Sequence, residues 1–310
     1  MNKEASIFVA GHRGLGGSAV VRALRAHGHE QFILRTRDEL DLLDQQAVNR
    51  FFVEDRPSYV VHAAARVGGI MANSTRQADF LYENLTIATN VIHAAAQSGT
   101  EKLLFLGSSC IYPKHAPQPI AESSLLTAPL EPTNEGYAIA KIAGLKLCEY
   151  YQRQYGKRFI SAMPTNLYGP GDNFHPTESH VIPGMLRRFH EAKLSGAAEV
   201  VVWGTGTPLR EFLHCDDLAE ALLVLMERYD EPGTINVGSG EEVSIRELAE
   251  TMAAVTGYAG AIRYDSSKPD GTPRKALDST RMRNLGWMPE RSLREGLAST
   301  YEWVLERGVL

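Results

Sequence analysis

Short apolar, β-branched runs alternate with longer amphipathic stretches along the first half of the chain. Apolar runs that end at glycine or proline predict buried strands, and apolar spacings of three and four predict helices. The predicted strands are SIFVAG, QFILRT, YVVHAAA, KLLFLGS and RFISAMP, and the predicted helices cover residues 15–27, 45–54, 75–97 and 134–155. This alternation predicts an α/β fold built on a doubly wound parallel sheet.

The strand–helix alternation weakens after Pro164, where residues 169–179 are rich in Gly, Pro, Asn and His and predict a loop. Further helices are predicted at residues 180–193 and 216–228, after Ser244 and after Ser292, with VVVWG and TINVGSG as strands. We predict two domains. A Rossmann domain takes residues 1–165 plus about 205–240, and a smaller C-terminal α/β substrate domain takes about 166–204 plus 241–310.

Composition excludes several classes of protein. The 310 residues carry a net charge of −5 and no long basic run, so we expect no nucleic-acid partner. No apolar stretch approaches the ~20 residues that span a bilayer, so we expect no membrane association. The three cysteines, Cys110, Cys148 and Cys215, lack metal-ligand spacing, and their odd number favours a reducing compartment. We therefore expect a cytoplasmic protein without a metal.

The first predicted strand runs into GHRGLGG, which places Gly11, Gly14 and Gly17 before an apolar helix. Glycines there allow a tight turn and a close approach of the backbone to a pyrophosphate, which the helix N-terminus then stabilises. A plain tight turn is the alternative, but the strand–loop–helix context favours a dinucleotide site. We expect this loop to bind the cofactor.

The end of the second strand carries Arg35, Thr36 and Arg37, where an NAD site usually has an acidic residue. An arginine cannot accept a hydrogen bond from a ribose hydroxyl, but it can pair with a 2′-phosphate. Arg13 in the glycine loop is expected to reach the same phosphate. We therefore predict NADP(H) as the cofactor.

Tyr137 and Lys141 lie four positions apart on a predicted helix and share one face. A lysine beside a tyrosine is expected to lower the pKa of the phenol, so that the phenol can exchange a proton with an oxygen atom. Ser108 follows a central strand, at the edge where doubly wound sheets bind their ligands. Tyr-x-x-x-Lys alone is common and usually structural, but the glycine loop and the strand-end serine make it a catalytic candidate.

Together these motifs resemble the extended short-chain dehydrogenase/reductases that act on nucleotide sugars. The resemblance covers nearly the whole chain and is carried by GHRGLGG, LRTRDELDL, GSSCIYPK, LEPTNEGYAIAKIAG, MPTNLYGPGDNFHP, SHVIP, VVWGTGTPLREFLH and SKPDGTPRK. It implies a homodimeric enzyme that inverts C3 and C5 of a GDP-4-keto-6-deoxy sugar and then reduces C4 with NADPH.

The resemblance also assigns roles to five residues. It implies that Ser108 and Tyr137 hydrogen-bond the C4 oxygen, and that Lys141 holds the nicotinamide ribose. It implies that Cys110 and His180 are the base and acid of epimerisation, for which a thiolate and an imidazolium are expected. In an extended chain Cys110 shares the side of Ser108, which would place the thiol beside the carbonyl. By composition alone, such a cysteine is more often inert core.

Further contacts follow from the same resemblance. It implies that the cofactor touches Gly11, His12, Arg13, Gly14, Leu15, Gly16, Gly17, Arg37, Asp41, Leu42, Leu106, Gly107, Ser108, Lys141, Pro164, Asn166, Leu167 and His180. It implies that the GDP-sugar touches Arg188, Trp203, Arg210 and Asp270. Two arginines can hold a diphosphate and a carboxylate can accept hydrogen bonds, although Trp203 on pattern alone is equally a core residue.

Two other functions remain open at this point. A nucleotide-sugar 4-epimerase or 4,6-dehydratase would share Ser108, Tyr137 and Lys141. The epimerase would keep NAD, and the dehydratase usually has an acidic pair where this chain has Cys110 and Ile111. A non-catalytic NADPH-binding regulator would typically have lost the tyrosine or the lysine. Oxidation of NADPH by a GDP-4-keto sugar distinguishes these classes.

Overall fold

The computed structural model describes residues 1–176, 178–268 and 270–310. Its strands are β1 Ile7–Ala10, β2 Phe32–Ile33, β3 Tyr59–His62, β4 Lys102–Leu106, β5 Arg158–Pro164, β6 Asn166–Tyr168, β7 Glu199–Trp203, β8 Leu209–His214, β9 Thr234–Val237, β10 Glu242–Ser244, β11 Ala261–Asp265 and β12 Arg274–Lys275. Its helices are α1 Leu15–Ala26, α2 Gln45–Glu54, α3 Ile70–Thr75, α4 Gln77–Gln97, α5 Glu135–Tyr155, α6 Val181–Ser195, α7 Cys215–Arg228, α8 Ile245–Thr256, α9 Thr280–Asn284 and α10 Leu293–Arg307.

The main sheet has six parallel strands in the order β2-β1-β3-β4-β5-β9. The chain winds from β1 to β2 on one side and from β3 to β4, β5 and β9 on the other. In such sheets ligands bind at the carboxyl ends of the strands, where the winding reverses. The predicted α/β class and doubly wound parallel sheet are confirmed. β2 is shorter than QFILRT predicted, because only two of its residues pair with β1.

Helices cover both faces of this sheet, which explains why its strands are almost continuously apolar. In β1, Ile7 and Val9 face α1 and α7, whereas Phe8 and Ala10 face α2, α4 and α5. This alternation follows from the two-residue period of a strand. The N-termini of the later helices also form as predicted, since capping boxes begin α8 at Ser244 and α10 at Ser292.

A third apolar core lies apart from the sheet faces and is built mainly by α6, α8, α10 and β7, with side chains such as Leu186, Met252 and Leu297. β8 pairs with β10 in antiparallel orientation and with β6 and β12 in parallel, while β7 and β11 form a separate parallel pair. The boundaries of the two predicted domains stay a prediction. Within the described ranges, no helix combines the length and the apolar character that crossing a membrane requires.

The glycine loop connects β1 to α1 through a backbone that larger residues would disturb. Gly11 has a φ of +80°, and its carbonyl oxygen accepts a hydrogen bond of 2.9 Å from the amide of Gly14. A Cβ added to Gly17 would lie 2.1 Å from the same oxygen. The first turn of α1 therefore packs directly on the loop backbone, which leaves the helix N-terminus open to a ligand.

We expect Gly17→Ala to lower the free energy of unfolding by about 1–3 kcal/mol, because α1 must move away from a backbone atom that cannot yield. It should also weaken NADPH binding. Denaturant unfolding and fluorescence titration measure the two effects. Gly99→Ala is the matched control, since nothing lies within 4 Å of its added Cβ. Equal unfolding midpoints for the two variants would contradict the expectation.

Candidate active site

A cleft of about 1860 Å³ opens at the carboxyl ends of β1, β3, β4 and β5. Ordinary small-molecule pockets measure roughly 300–1,000 Å³, so this cleft has room for a dinucleotide and a second ligand. All of the predicted catalytic and cofactor-contacting residues line it: Gly11, His12, Arg13, Gly14, Leu15, Gly16, Gly17, Arg37, Asp41, Leu42, Leu106, Gly107, Ser108, Cys110, Tyr137, Lys141, Pro164, Asn166, Leu167 and His180.

The end of the cleft beside β1 and β2 is suited to NADP(H). Arg35 also lines the cleft, but its guanidinium forms an ion pair of 3.1 Å with Asp55 and lies over the ring of Phe51. Arg37 is 71% exposed, with only a 3.8 Å contact to Asp41, and the exposed Arg13 lines the same region. Two arginines are thus available to a 2′-phosphate, and the Gly11–Gly17 cradle fits a pyrophosphate.

Lys141 is fixed beneath the cleft by a contact to β4. Its Nζ donates a 2.7 Å hydrogen bond to the carbonyl oxygen of Leu106. It lies 4.8 Å from the ring centroid of Phe105 and 5.8 Å from that of Tyr137. Burial lowers the pKa of Lys141 to about 8. The helical spacing predicted the shared face of Lys141 and Tyr137, and the structure ties that face to the strand before Ser108.

The expectation that Lys141 lowers the pKa of Tyr137 is wrong for this structure. Burial raises the pKa of the Tyr137 phenol, and the nearby Cys110 raises it further. Tyr137 is therefore protonated at neutral pH and can donate a hydrogen bond to an oxygen in the cleft.

The chain around Cys110 also differs from the prediction of an extended segment. Ser109–Ile111 forms a 3₁₀ turn, and the Oγ of Ser108 accepts a hydrogen bond of 3.4 Å from the amide of Cys110. The position of the Cys110 thiol in the cleft therefore does not follow from strand alternation. It follows from the 3₁₀ turn, which begins at Ser108 and brings both Ser108 and Cys110 to the cleft wall.

The protonation states of the predicted acid–base pair are opposite to those expected. Burial raises the pKa of Cys110, although the hydrogen bond to Ser108 and the charges of Lys275 and Lys141 act in the other direction. Burial lowers the pKa of His180. At neutral pH the structure thus holds a thiol and a neutral imidazole rather than a thiolate and an imidazolium. The expected roles therefore require Cys110 to lose a proton and His180 to gain one.

Lys275 also lines the cleft, although it is not among the site residues that the sequence predicts. It lies on β12, beside β8, and lines the cleft near Cys110. Burial lowers the pKa of Lys275, and Cys110 raises it in return. The motif SKPDGTPRK contains this lysine, but no periodicity connects it with a cysteine so far away in the chain.

The four residues predicted for the GDP-sugar fall into two groups. Arg210 and Asp270 line the cleft, and Asp270 accepts hydrogen bonds of 2.6 and 2.9 Å from the amide and hydroxyl of Thr205. Arg188 and Trp203 do not line it. Arg188 donates 3.1 Å to the carbonyl of Val201, and Trp203 is 66% exposed on the same strand. The structure therefore places these two outside the cleft, with Asp270 packed next to Trp203 against Gly204.

His214, Cys215 and Asp216 form a cluster at the start of α7 and lie close enough together to hold a metal ion. However, Nδ1 of His214 accepts a hydrogen bond from the amide of Asp216 and caps α7, and Asp216 forms an ion pair with Arg22. These contacts account for the cluster as the start of a helix.

A parallel sheet with a glycine loop, a strand-end serine and a Tyr–Lys pair in one cleft defines a short-chain dehydrogenase/reductase of the nucleotide-sugar type. Residues 7–238 match the NAD dependent epimerase/dehydratase family, and the chain belongs to that family.

Known relatives resemble the chain over nearly its whole length. It is 61% identical to GDP-L-fucose synthase 1 of Arabidopsis thaliana, over 98% of this chain and 94% of that protein. It is 60% identical to GDP-L-fucose synthase of Escherichia coli K12, over 99% and 98%. A solved structure of MlghC, a GDP-mannoheptose C4 reductase from Campylobacter jejuni with NADP bound, is 37% identical, with a TM-score of 0.91 over 98% of this chain and 99% of that one.

Lys275→Met removes a cation that lowers the pKa of Cys110, so we expect the thiol to titrate at a higher pH than in the wild type. The ultraviolet absorbance of the thiolate during a pH titration measures this, with Cys110→Ser as the blank. Burial raises the pKa of Cys148 and Cys215 to about 12, so neither interferes at lower pH. Lys193→Met, an exposed change on α6, is the control. If the thiol titrated identically in the two lysine variants, Lys275 would have no influence on the pKa of Cys110.

Proposed function

We propose that the chain converts GDP-4-dehydro-6-deoxy-D-mannose to GDP-L-fucose, by inverting C3 and C5 and then reducing C4 with NADPH. The observation that carries the proposal is the presence of two kinds of chemistry in one cleft. Tyr137, Ser108 and Lys141 suit a carbonyl reduction, and Cys110 and His180 supply a separate acid–base pair. A simple 4-epimerase or a binding protein has no use for the second set. The full-length likeness to GDP-L-fucose synthases supports the same function.

Epimerisation follows from the acidity that the C4 carbonyl gives to the hydrogens on C3 and C5. Loss of either proton places negative charge on the C4 oxygen, where hydrogen bonds from Ser108 and the protonated Tyr137 stabilise it. Cys110 removes the proton from one face, and His180 returns one to the other. In the D-manno sugar both hydrogens lie on the same ring face, so one base serves both positions. The acquired proton must leave Cys110 between the two inversions.

Lys275 favours formation of the thiolate, because its positive charge lowers the pKa of Cys110 and partly offsets the effect of burial. Cys110 must lose a proton before it can act as the base, and the neutral His180 must gain one before it can act as the acid.

Reduction uses the oxygen that epimerisation has already polarised. NADPH, when bound, supplies the hydride for C4. Tyr137 donates the proton to the C4 oxygen, and its raised pKa keeps that proton in place until the oxygen becomes basic. Lys141, whose pKa burial lowers to about 8, is positioned under Tyr137 and can return a proton near neutral pH.

The function is tested by incubating the protein with GDP-4-dehydro-6-deoxy-D-mannose and NADPH and identifying the product by NMR. GDP-L-fucose is expected. A product inverted only at C4, or one that has lost water, would favour the epimerase or dehydratase alternatives. Bound NADPH without turnover would favour a regulator. Arg13 and Arg37 support NADP(H), so kinetics with NADPH and NADH side by side should favour NADPH.

Cys110→Ser should abolish inversion while slow NADPH oxidation on the un-epimerised ketone continues, since the reducing residues are intact. His180→Gln should still remove protons but fail to return them on the opposite face. Incorporation of solvent deuterium at C3 and C5, followed by NMR, separates the two cases. Cys148→Ser, a buried change on α5 away from the cleft, is the control. Wild-type deuterium incorporation in Cys110→Ser would show that Cys110 is not the base.

Tyr137→Phe should lower the rate of reduction by roughly 10²–10⁴-fold, because the proton donor for the C4 oxygen is lost. NADPH affinity should change little. Stopped-flow NADPH oxidation and a fluorescence titration measure the two quantities. Tyr155→Phe, at the exposed C-terminal end of the same helix, is the matched control. A reduction rate close to that of Tyr155→Phe would rule out Tyr137 as the donor.

The GDP-sugar is proposed to lie between the two groups of binding residues. Arg210 and Asp270 line the cleft, and we propose that Arg210 holds the diphosphate and that Asp270 accepts hydrogen bonds from the ligand. Arg188 and Trp203 extend this surface beyond the cleft, where a flat nucleobase can stack on the exposed indole.

We further propose that the protein is a cytoplasmic homodimer. α4 and α5 pack against each other and expose Tyr82, Ile139 and Tyr150, which are 67%, 42% and 54% exposed. Pairing of these helices with a second copy would cover the apolar side chains in a four-helix bundle. The three cysteines are free thiols, as expected in a reducing compartment. Light scattering measures the oligomeric state.

A further inference from the structure

Val67 and Val181 line the active-site cleft with side chains that are largely exposed. Val67 is 64% exposed and Val181 is 48% exposed. Among the large apolar residues that the structure describes as exposed, these are the ones that line the cleft. An apolar side chain that faces water in a ligand cleft indicates contact with an apolar part of the ligand.

The two valines lie on segments that approach each other. Val67 belongs to the loop after β3, and Val181 is the first residue of α6, directly after His180. The two segments meet at Gly69, where an added Cβ would lie 3.2 Å from the carbonyl oxygen of Glu178. The loop after β3 therefore packs against the segment that leads into α6, and both valines line the cleft on either side of this contact, together with His180.

The position of His180 determines which part of the sugar these valines meet. On the proposed function, the His180 side chain delivers a proton to C5 and so must come within hydrogen-bond reach of that carbon. C6 is bonded directly to C5, and in a 6-deoxy sugar it is a methyl group. A cleft-lining side chain next to His180 is therefore adjacent to C6.

We propose that Val67 and Val181 form the contact surface for the C6 methyl group and select a 6-deoxy sugar over one that carries a C6 hydroxyl. Burying the methyl group against them removes apolar surface from water on both sides. A hydroxyl in the same place would lose its hydrogen bonds to water without gaining a partner from either valine. The inference rests on the proposed function and adds to it the determinant of substrate choice.

Relatives of the same fold act on sugars that differ at this end. The structures similar to this chain include a GDP-6-OMe-4-keto-L-xylo-heptose reductase from Campylobacter jejuni, which is 36% identical with a TM-score of 0.92. A heptose has one more carbon beyond C6 than a hexose. The fold therefore accommodates different groups at C6, and residues local to that end must set the choice.

The test compares Val67→Thr and Val181→Thr with the wild type, because threonine has the shape of valine and adds a hydroxyl. The substrates are GDP-4-keto-6-deoxy-mannose and GDP-4-keto-mannose, which retains the C6 hydroxyl. NADPH oxidation gives kcat and KM for each. A hydrophobic pocket discriminates against an added hydroxyl by roughly 10- to 100-fold, and this preference is expected in the wild type. Each threonine variant should lower the preference for the 6-deoxy substrate at least about fivefold, mainly by raising KM for that substrate.

Val53→Thr is the matched control, since Val53 is 65% exposed but lies on α2 outside the cleft. It should keep the wild-type preference. Val181→Ala and Val67→Ala should raise KM for the 6-deoxy substrate without improving use of the hydroxylated one. An unchanged preference in all four cleft variants would overturn the inference, as would an effect confined to KM for NADPH. A wild-type protein that binds NADPH but reduces neither sugar would instead overturn the proposed function.

Discussion

The active site depends on the hydrogen bond between the Nζ of Lys141 and the carbonyl oxygen of Leu106. This contact joins α5 to the last residue of β4 and so brings Tyr137 to the strand end that carries Ser108. A lysine in such a place is costly to bury, and the lowered pKa of Lys141 reflects that cost. The sheet supplies the partner, because the carbonyl oxygen of Leu106, at the end of β4, accepts a hydrogen bond from the lysine.

Burial away from water also determines the protonation states of the side chains in the cleft. Burial raises the pKa values of Tyr137 and Cys110 and lowers those of His180, Lys141 and Lys275. Each group is thereby driven towards its neutral form. A protonated phenol suits the proposed reduction, whereas the proposed epimerisation needs charge separation between the sulfur of Cys110 and the imidazole of His180. The two cations near Cys110 reduce the free-energy cost of that separation.

Residues far apart in the sequence complete the site around the sheet. β8 carries Arg210, and its neighbour β12 carries Lys275. The buried carboxylate of Glu211 accepts hydrogen bonds of 2.8 Å from the amides of Gly240 and Leu277. Because this carboxylate joins β8 to the segments before β10 and after β12, it holds the substrate side of the cleft against the main sheet.

The sequence by itself determined the parts of the protein that depend on local periodicity. Strand and helix alternation gave the sheet, the glycine spacing gave the cofactor loop, and the four-residue spacing of Tyr137 and Lys141 gave their shared face. Only the tertiary structure shows the turn at Cys110, the neighbourhood of Lys275 and the approach of the loop that carries Val67 to the segment before Val181. It also decided the protonation states. These features arise from contacts between distant segments and from the removal of water, and a repeating pattern along one segment carries no information about either.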